Sequence, residues 1–259
     1  MQLQFYGAAG EVTGSCHILT VRGRTLLLDC GLIQGGERPD VRNRQPFPFD
    51  AAAIDAVVLS HAHIDHGGRL PLLRKRGFRG PIYATPACRE LARILLADSA
   101  FMAEREADRY RRRQAEHGNR HARGFPDPLF TRVDADETIQ QFKPVGYGRA
   151  TEVLPGVTLT FRDAGHILGS ATVELAIGGK RPHTAVFSGD LGRVDPPLHY
   201  PPEGYPEGAD TIVVESTYGD RNHPPREQVL AELAKVLKGT FKRGGSVLVP
   251  AFAIDRTHG

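Results

Sequence analysis

The 259 residues include 40% hydrophobic side chains, enough for one large core or two small ones, and a formal net charge of +3 that is too small by itself to demand an anionic partner. No apolar run approaches the roughly 20 residues that span a bilayer, and residues 1–7 lack the basic start and long apolar stretch of a secretory signal, so no membrane partner and a cytoplasmic location are expected. Three cysteines, Cys16, Cys30 and Cys88, are odd in number and lack metal-ligand spacing; they are expected to stay reduced and to pack as small apolar side chains.

In chain order, short strands are expected over 3–6, 15–21 and 25–30, separated by glycines that suit tight turns. Asp29, closing the run Leu26, Leu27, Leu28, either orients a ligand histidine from behind or starts the turn at Gly31. A further strand over 54–60 leads directly into His61, Ala62, His63, Ile64, Asp65 and His66, three imidazoles and a carboxylate within six residues. Past a strand end alternate residues project to one side, so His61 and His63 can grip one ion. Asp65 and His66 fall where the chain must turn before Gly67 and Gly68, and are placed to face a second.

A short helix is expected over 70–76, a strand over 81–84, and one or two helices over 86–116 with Leu91, Ile94, Leu95 and Met102 on the apolar face. Positive charge gathers at Arg74, Lys75, Arg76 and Arg79, and again at Arg105, Arg109, Arg111, Arg112, Arg113, Arg120 and Arg123, which form either a solvated helix face or a ridge for a polyanion. Residues 117–128 read as a loop, and strands resume over 151–154, 157–163, 171–177 and 184–188. Two of these end in ligand types beside small residues: Asp163, Ala164, Gly165, His166, and Phe187, Ser188, Gly189, Asp190. A Pro-rich stretch over 196–206 precedes a strand over 211–215, a helix over 225–237 with Val229, Leu230, Leu233, Val236 and Leu237 on one face, and a last strand over 246–250.

Six residues thus make one constellation. His61, His63 and His166 are expected to hold one metal, Asp65 and His66 the other, and Asp190 to bridge them with its two oxygens. Imidazole and carboxylate without thiolate suit zinc first, with manganese or iron as substitutes.

LLLDCG at 26–31, SHAHIDHGG at 60–68, DAGHILGS at 163–170 and FSGDLG at 187–192 resemble, in order, the motifs of the metallo-β-lactamase fold. VVESTYGDRNH at 213–223 and VLVPAFAIDR at 247–256 are similar to its β-CASP branch, the nucleases akin to ribonuclease J and to the nuclease subunit of the cleavage and polyadenylation specificity factor. GAAGEVTGSCHIL at 7–19 resembles the opening of the bacterial and archaeal RNA-processing members. The resemblance implies an α/β fold, a four-layer αββα sandwich over 1–215 with a two-metal site on one rim, and the beginning of a β-CASP insert domain over 216–259. It implies metal-dependent hydrolysis of phosphodiester bonds in single-stranded RNA, internally or from an end, using two zinc ions. Asp65 would help to hold the attacking oxygen, and Glu215 would position a histidine general acid.

A complete member of the branch continues to that general-acid histidine and to a last histidine on the second metal. The resemblance therefore implies a truncated member, expected to expose apolar surface and an unpaired sheet edge and so to associate with itself, as a homo-oligomer or aggregate. His223 and His258 match neither missing histidine and are expected to be solvated loop residues. Two other functions fit the residues. One is a catalytically impaired RNA-binding or regulatory piece that keeps metal at one site; the other is a small-molecule ester or lactone hydrolase of the same fold, against which the basic clusters and the ESTYGD and PAFA segments argue.

Overall fold

The computed structural model describes residues 1–117, 124–194, 200–204, 208–222, 224–251 and 254, with the backbone alone at His117 and Arg226. His223, His258, Arg120 and Arg123 lie outside the described residues, as do parts of the loop over 117–128 and of the Pro-rich stretch. The chain falls into two compact units, Met1–Glu215 and Ser216–Gly259.

The first unit begins with β1 (Gln2–Gly7), β2 (Cys16–Val21) and β3 (Arg24–Leu28), then α1 (Pro39–Arg44), β4 (Ala56–Val58), α2 (Ile64–Gly67), α3 (Leu70–Lys75) and β5 (Ile82–Ala84). It continues through α4 (Pro86–His117), α5 (Arg132–Ile139), β6 (Phe142–Pro144), β7 (Thr151–Leu154), β8 (Val157–Asp163), β9 (Ala171–Ile177), β10 (His183–Phe187) and β11 (Thr211–Val213). The second unit contains α6 (Arg226–Lys242).

Two sheets result, one ordered β1-β2-β3-β4-β5-β6 and the other β11-β10-β9-β8-β7. Hairpins make β1, β2 and β3 antiparallel, whereas β4, β5 and β6 join in parallel because a helix or loop carries the chain back each time. Strands in the middle of the first sheet are buried on both faces, which is why they read as continuous apolar runs. Along β3, Leu26 and Leu28 point into the space between the sheets, where they meet Leu159, Phe161, Val173 and Leu175. Leu27 points the other way, with Val57 and Ile82, onto Leu70 and Leu73 of α3 and Leu96 of α4. Helices thus cover the outer face of the first sheet, and the second sheet covers its inner face, in the α/β sandwich that the motifs implied.

Several boundaries differ from the expected ones. The strand over 54–60 contracts to Ala56–Val58, because the Ser60 N–H leaves the ladder for the Asp29 carboxylate. Residues 86–117 form one helix of 32 residues, and its buried stripe is Cys88, Ala92, Leu96, Ala100 and Ala107. Ile94 and Met102, expected on the buried face, are 54% and 43% exposed, since small side chains are what let a helix approach a sheet closely. Three elements carried no apolar period: α1, α5 and β6. Of these α5 had a local sign, the reciprocal cap in which Thr131 Oγ1 accepts from Asp134 N while the Asp134 carboxylate accepts from Thr131 N at 2.8 Å. In the second unit the strand expected over 246–250 does not form; Leu248 is 92% exposed and no described strand pairs with it.

Candidate metal centre

The strands β3 and β4 of one sheet and β8 and β10 of the other end at a common rim, and each contributes a polar residue just past its last ladder position. Small residues let these ends close on one another. A Cβ on Gly31 would lie 1.5 Å from the Asp65 carbonyl oxygen, and one on Gly192 would lie 1.7 Å from the Gly165 carbonyl oxygen. Backbone hydrogen bonds fasten the loops at these close approaches, from Cys30 N to His66 O at 2.7 Å, from Ser15 N to Asp65 O at 2.9 Å and from Gly192 N to Ala164 O at 2.8 Å. The two sheets are joined at the rim by Ala171 N to Ser60 O at 2.9 Å.

His63 stands at the N-cap position of α2 without a side-chain capping bond, and its ring and that of His61 face His166, which lies in the loop after β8. The His63 Nδ1 atom lies 3.1 Å from His61 Nε2 and 3.2 Å from His166 Nε2, and the three ring centroids are 4.9–5.0 Å apart. Asp190 faces this group from the loop after β10. Its Oδ2 is 3.5 Å from His166 Nε2 and 3.8 Å from His61 Nε2, and its Oδ1 is 3.2 Å from His66 Nε2. One donor atom from each of His61, His63, His166 and Asp190 lies within 4.8 Å of the others.

These separations fit a shared cation. Two ligand atoms each 2.0–2.1 Å from a tetrahedral ion lie about 3.3 Å apart, close to the spacing of the imidazole nitrogens. The donor set of imidazoles and carboxylate suits a borderline divalent ion, and the three cysteines stand apart as free, buried thiols.

Burial, reinforced by the neighbouring imidazoles of His66, His63 and His166, pushes the His61 pKa well below the ordinary histidine value, so His61 presents a lone pair rather than a charge. Burial also opposes charge on His66, but Asp29 and Asp190 outweigh it and raise its pKa well above the ordinary value. Asp190 is lowered in turn: burial opposes its ionisation, and the hydrogen bond and charge from His66 with the other histidines overcome that.

Asp29 sits behind this layer with a left-handed φ of 59°. Its carboxylate is 2.7 Å from His66 Nδ1 and accepts from Ser60 N at 2.8 Å, Ser60 Oγ at 2.9 Å and Ser15 Oγ at 3.3 Å. The two roles considered for it from the sequence are therefore compatible, since one residue both turns the chain and holds the far nitrogen of His66. Glu215 Oε1 accepts from Leu191 N at 3.1 Å, and Glu215 N donates to Ser188 Oγ at 3.0 Å, which ties the residues on both sides of Asp190 to the end of β11. Asp65 stands in the first turn of α2, half buried, and its carboxylate makes no hydrogen bond or ion pair with a described residue.

Residue-by-residue reading of the sequence missed the supports of these ligands. Ser170 Oγ accepts from His166 N at 3.0 Å and from Ile167 N at 3.2 Å, while Thr85 Oγ1 and the Tyr147 hydroxyl donate to the carbonyls of Gly169 and Ser170 at 2.7 and 2.8 Å. Only the serines adjoining ligand motifs, Ser60 and Ser170, had a local signal. The first basic cluster is largely structural: Arg74 pairs with Glu137 at 2.5 Å, and Arg76 donates to the carbonyls of Gln45 and Arg44 at 2.7 and 2.8 Å. Of the second, Arg111 is held by Asp108 and the Pro126 carbonyl and Arg105 lies over Phe101, with Arg109, Arg112 and Arg113 on the exposed side of α4.

With this geometry in place, comparison with known proteins assigns the class. Residues 24–240 match the family model described as a β-lactamase superfamily domain, and the chain belongs to that superfamily, in its metallo-β-lactamase fold. The protein named Ribonuclease TTHA0252, from Thermus thermophilus, is 40% identical over 256 residues, which are 99% of this chain and 53% of that protein. Proteins named Transcription termination factor FttA are also similar, that of Methanosarcina mazei at 34% identity over 97% of this chain and 37% of its own length, and that of Pyrococcus abyssi at 37% over 78% and 29%. The chain thus spans about half the length of the first of these relatives and less of the others. Among the described residues no helix is long and apolar enough to cross a membrane.

Proposed function

We propose that this protein is a metal-dependent phosphodiester hydrolase acting on single-stranded RNA, a member of the β-CASP branch that works in the cytoplasm, where three buried free cysteines are ordinary. The observation that carries the reading is the meeting of His61, His63, His166 and Asp190 from three separate loops, with His66 joined to them through Asp190 and Asp29. The similarity to a protein named as a ribonuclease supports RNA as the substrate class.

His61, His63 and His166 would hold one divalent cation, His66 and Asp65 a second, and Asp190 would lie between them; zinc suits these donors best, and manganese or iron can substitute. Cations bound there would supply Lewis acidity toward the phosphodiester and lower the pKa of a water molecule. The chain's own side chains do the rest. Neutral His61 offers its lone pair without losing a proton, and Asp190 stays ionised. Asp29 fixes the ring plane of His66, which binds a cation only after giving up a proton, and the Asp65 oxygen left over from the cation would accept a hydrogen bond from the attacking oxygen. Glu215 holds the Asp190 loop in place through Leu191 and, in the family's arrangement, also steadies a histidine general acid.

The test is cleavage of 5′-labelled single-stranded RNA with and without a chelator, beside a generic ester and with metal counted by elemental analysis. Chelator-sensitive RNA cleavage that His63→Ala lowers by at least about 100-fold is expected, since such a change removes one of the three imidazoles assigned to the first cation. Metal and RNA binding without turnover would assign a non-catalytic role instead, and ester turnover alone would assign a small-molecule hydrolase.

A further inference from the structure

The lateral edge of the sandwich, where β6 ends the first sheet and β7 ends the second, carries an open groove of about 650 Å³. None of its lining residues belongs to the histidine loops. Three are cations from three successive places along the chain: Arg79 before β5, Lys143 within β6 and Arg149 between β6 and β7. Tyr83, Gln140 and Thr151 add a ring, an amide and a hydroxyl, and the lining contains no Asp or Glu.

Arg79 is fixed in place, its Nη1 donating to the carbonyls of Arg74 and Phe78 at 2.7 and 2.8 Å, which leaves its other N–H groups to a ligand. Neither the Lys143 nor the Arg149 side chain forms a hydrogen bond or ion pair with a described residue. A concave surface that gathers three positive charges, with no acid among them, concentrates counter-ions and favours an anionic occupant. The cations stand before, within and after the β5–β6 pair, where Tyr83 is the register partner of Lys143, so charge is distributed along an edge beside an aromatic ring. Successive phosphates with a stacked base match that layout, and the volume suits a ligand of nucleotide size.

We propose that this groove holds a segment of single-stranded RNA outside the metal centre, its phosphates on Arg79, Lys143 and Arg149 and a base against Tyr83. The inference rests on the RNA reading of the metal centre and adds a second place of contact to it. Tyr147, in the same β6–β7 connection as Arg149, donates its hydroxyl to the Ser170 carbonyl at 2.8 Å, while Ser170 Oγ holds the backbone of His166.

The test measures fluorescence anisotropy of a labelled oligouridylate of about 12 nucleotides, a length within the range such grooves cover, in EDTA and over a range of salt. The parent is compared with Lys143→Ala/Arg149→Ala and with Lys180→Ala/Arg181→Ala, which removes the same charge from the exposed turn between β9 and β10. The groove variant is expected to bind at least about 10-fold more weakly, with a salt slope shallower by about 1.4, two phosphates at roughly 0.7 each, and with an unchanged melting temperature. The turn variant should bind nearly as the parent does. Equal losses in both variants, parent-like binding by the groove variant, or full displacement of the RNA by an equal phosphate concentration of uridine monophosphate would each overturn the proposal. If chelator-sensitive cleavage persists in those cases, the groove alone has failed. Absence of both RNA binding and cleavage in the parent would remove the RNA reading and the groove together.

Discussion

Asp29, a residue only 5% exposed, gathers four polar contacts on its carboxylate. Its charge is what keeps His66 turned toward Asp190. Asp29→Asn preserves the volume but replaces an acceptor with a donor opposite His66 Nδ1 and Ser60, so metal affinity should fall by about 10- to 100-fold. Competition against a fluorescent zinc chelator measures this, and a change under about 2-fold would show that His66 needs no such support. Asp29 also illustrates what a single residue hides. Its place at a strand end and before a glycine was plain in the sequence, but its partners Ser15, Ser60 and His66 lie 14, 31 and 37 positions away, and no local pattern pairs them.

At the level of elements, α4 separates apolar composition from burial. Leu96 is fully buried against the first sheet, and Leu96→Ala should cost about 2–5 kcal/mol, while Ile94→Gln on the open side should stay within about 0.5 kcal/mol. Urea unfolding of the two variants decides it; comparable losses would mean that the helix is rotated from the orientation described. The close approach of the loop after β3 to α2 is tested at Gly31. A methyl group there meets the backbone of Asp65, which has no flexible end to yield, so Gly31→Ala should lower stability by upwards of about 3 kcal/mol and weaken metal binding by displacing His66 with its helix. A variant with parental melting temperature and metal affinity would rule out this packing. Strand positions were largely legible because alternation survives in short strands such as β8, and the strands buried on both faces read as bounded apolar runs. The missed elements α1, α5 and β6 are short and polar or interrupted by proline, and their structure comes from caps and from ladder partners distant in the chain.

Among the described residues the second unit presents an apolar surface on its helix. Val229, Leu230, Leu233 and Val236 line one side of α6 and are each 45–54% exposed. An apolar stripe of this kind favours association. The sedimentation coefficient of the protein should therefore rise with concentration, and Leu230→Lys/Leu233→Lys should flatten that rise. A parent that sediments as a monomer at all concentrations would contradict this.

The residues that cluster were readable from the sequence alone because they sit in compact motifs whose spacing follows from strand geometry: His61, His63 and His66 within one run, His166 and Asp190 each past the end of an apolar strand. The sandwich was readable through the same motifs taken in order. The tertiary structure decided which residues meet. It put Asp190 between His66 and the other histidines, Asp29 behind His66, and Glu215 against the Asp190 loop; it also made Arg74, Arg76 and Arg111 into braces and set Lys143 beside Tyr83. The physical reason is that spacing acts over a few residues, whereas a polar contact between loops depends on how two sheets twist and pack, which every core side chain helps to set at once.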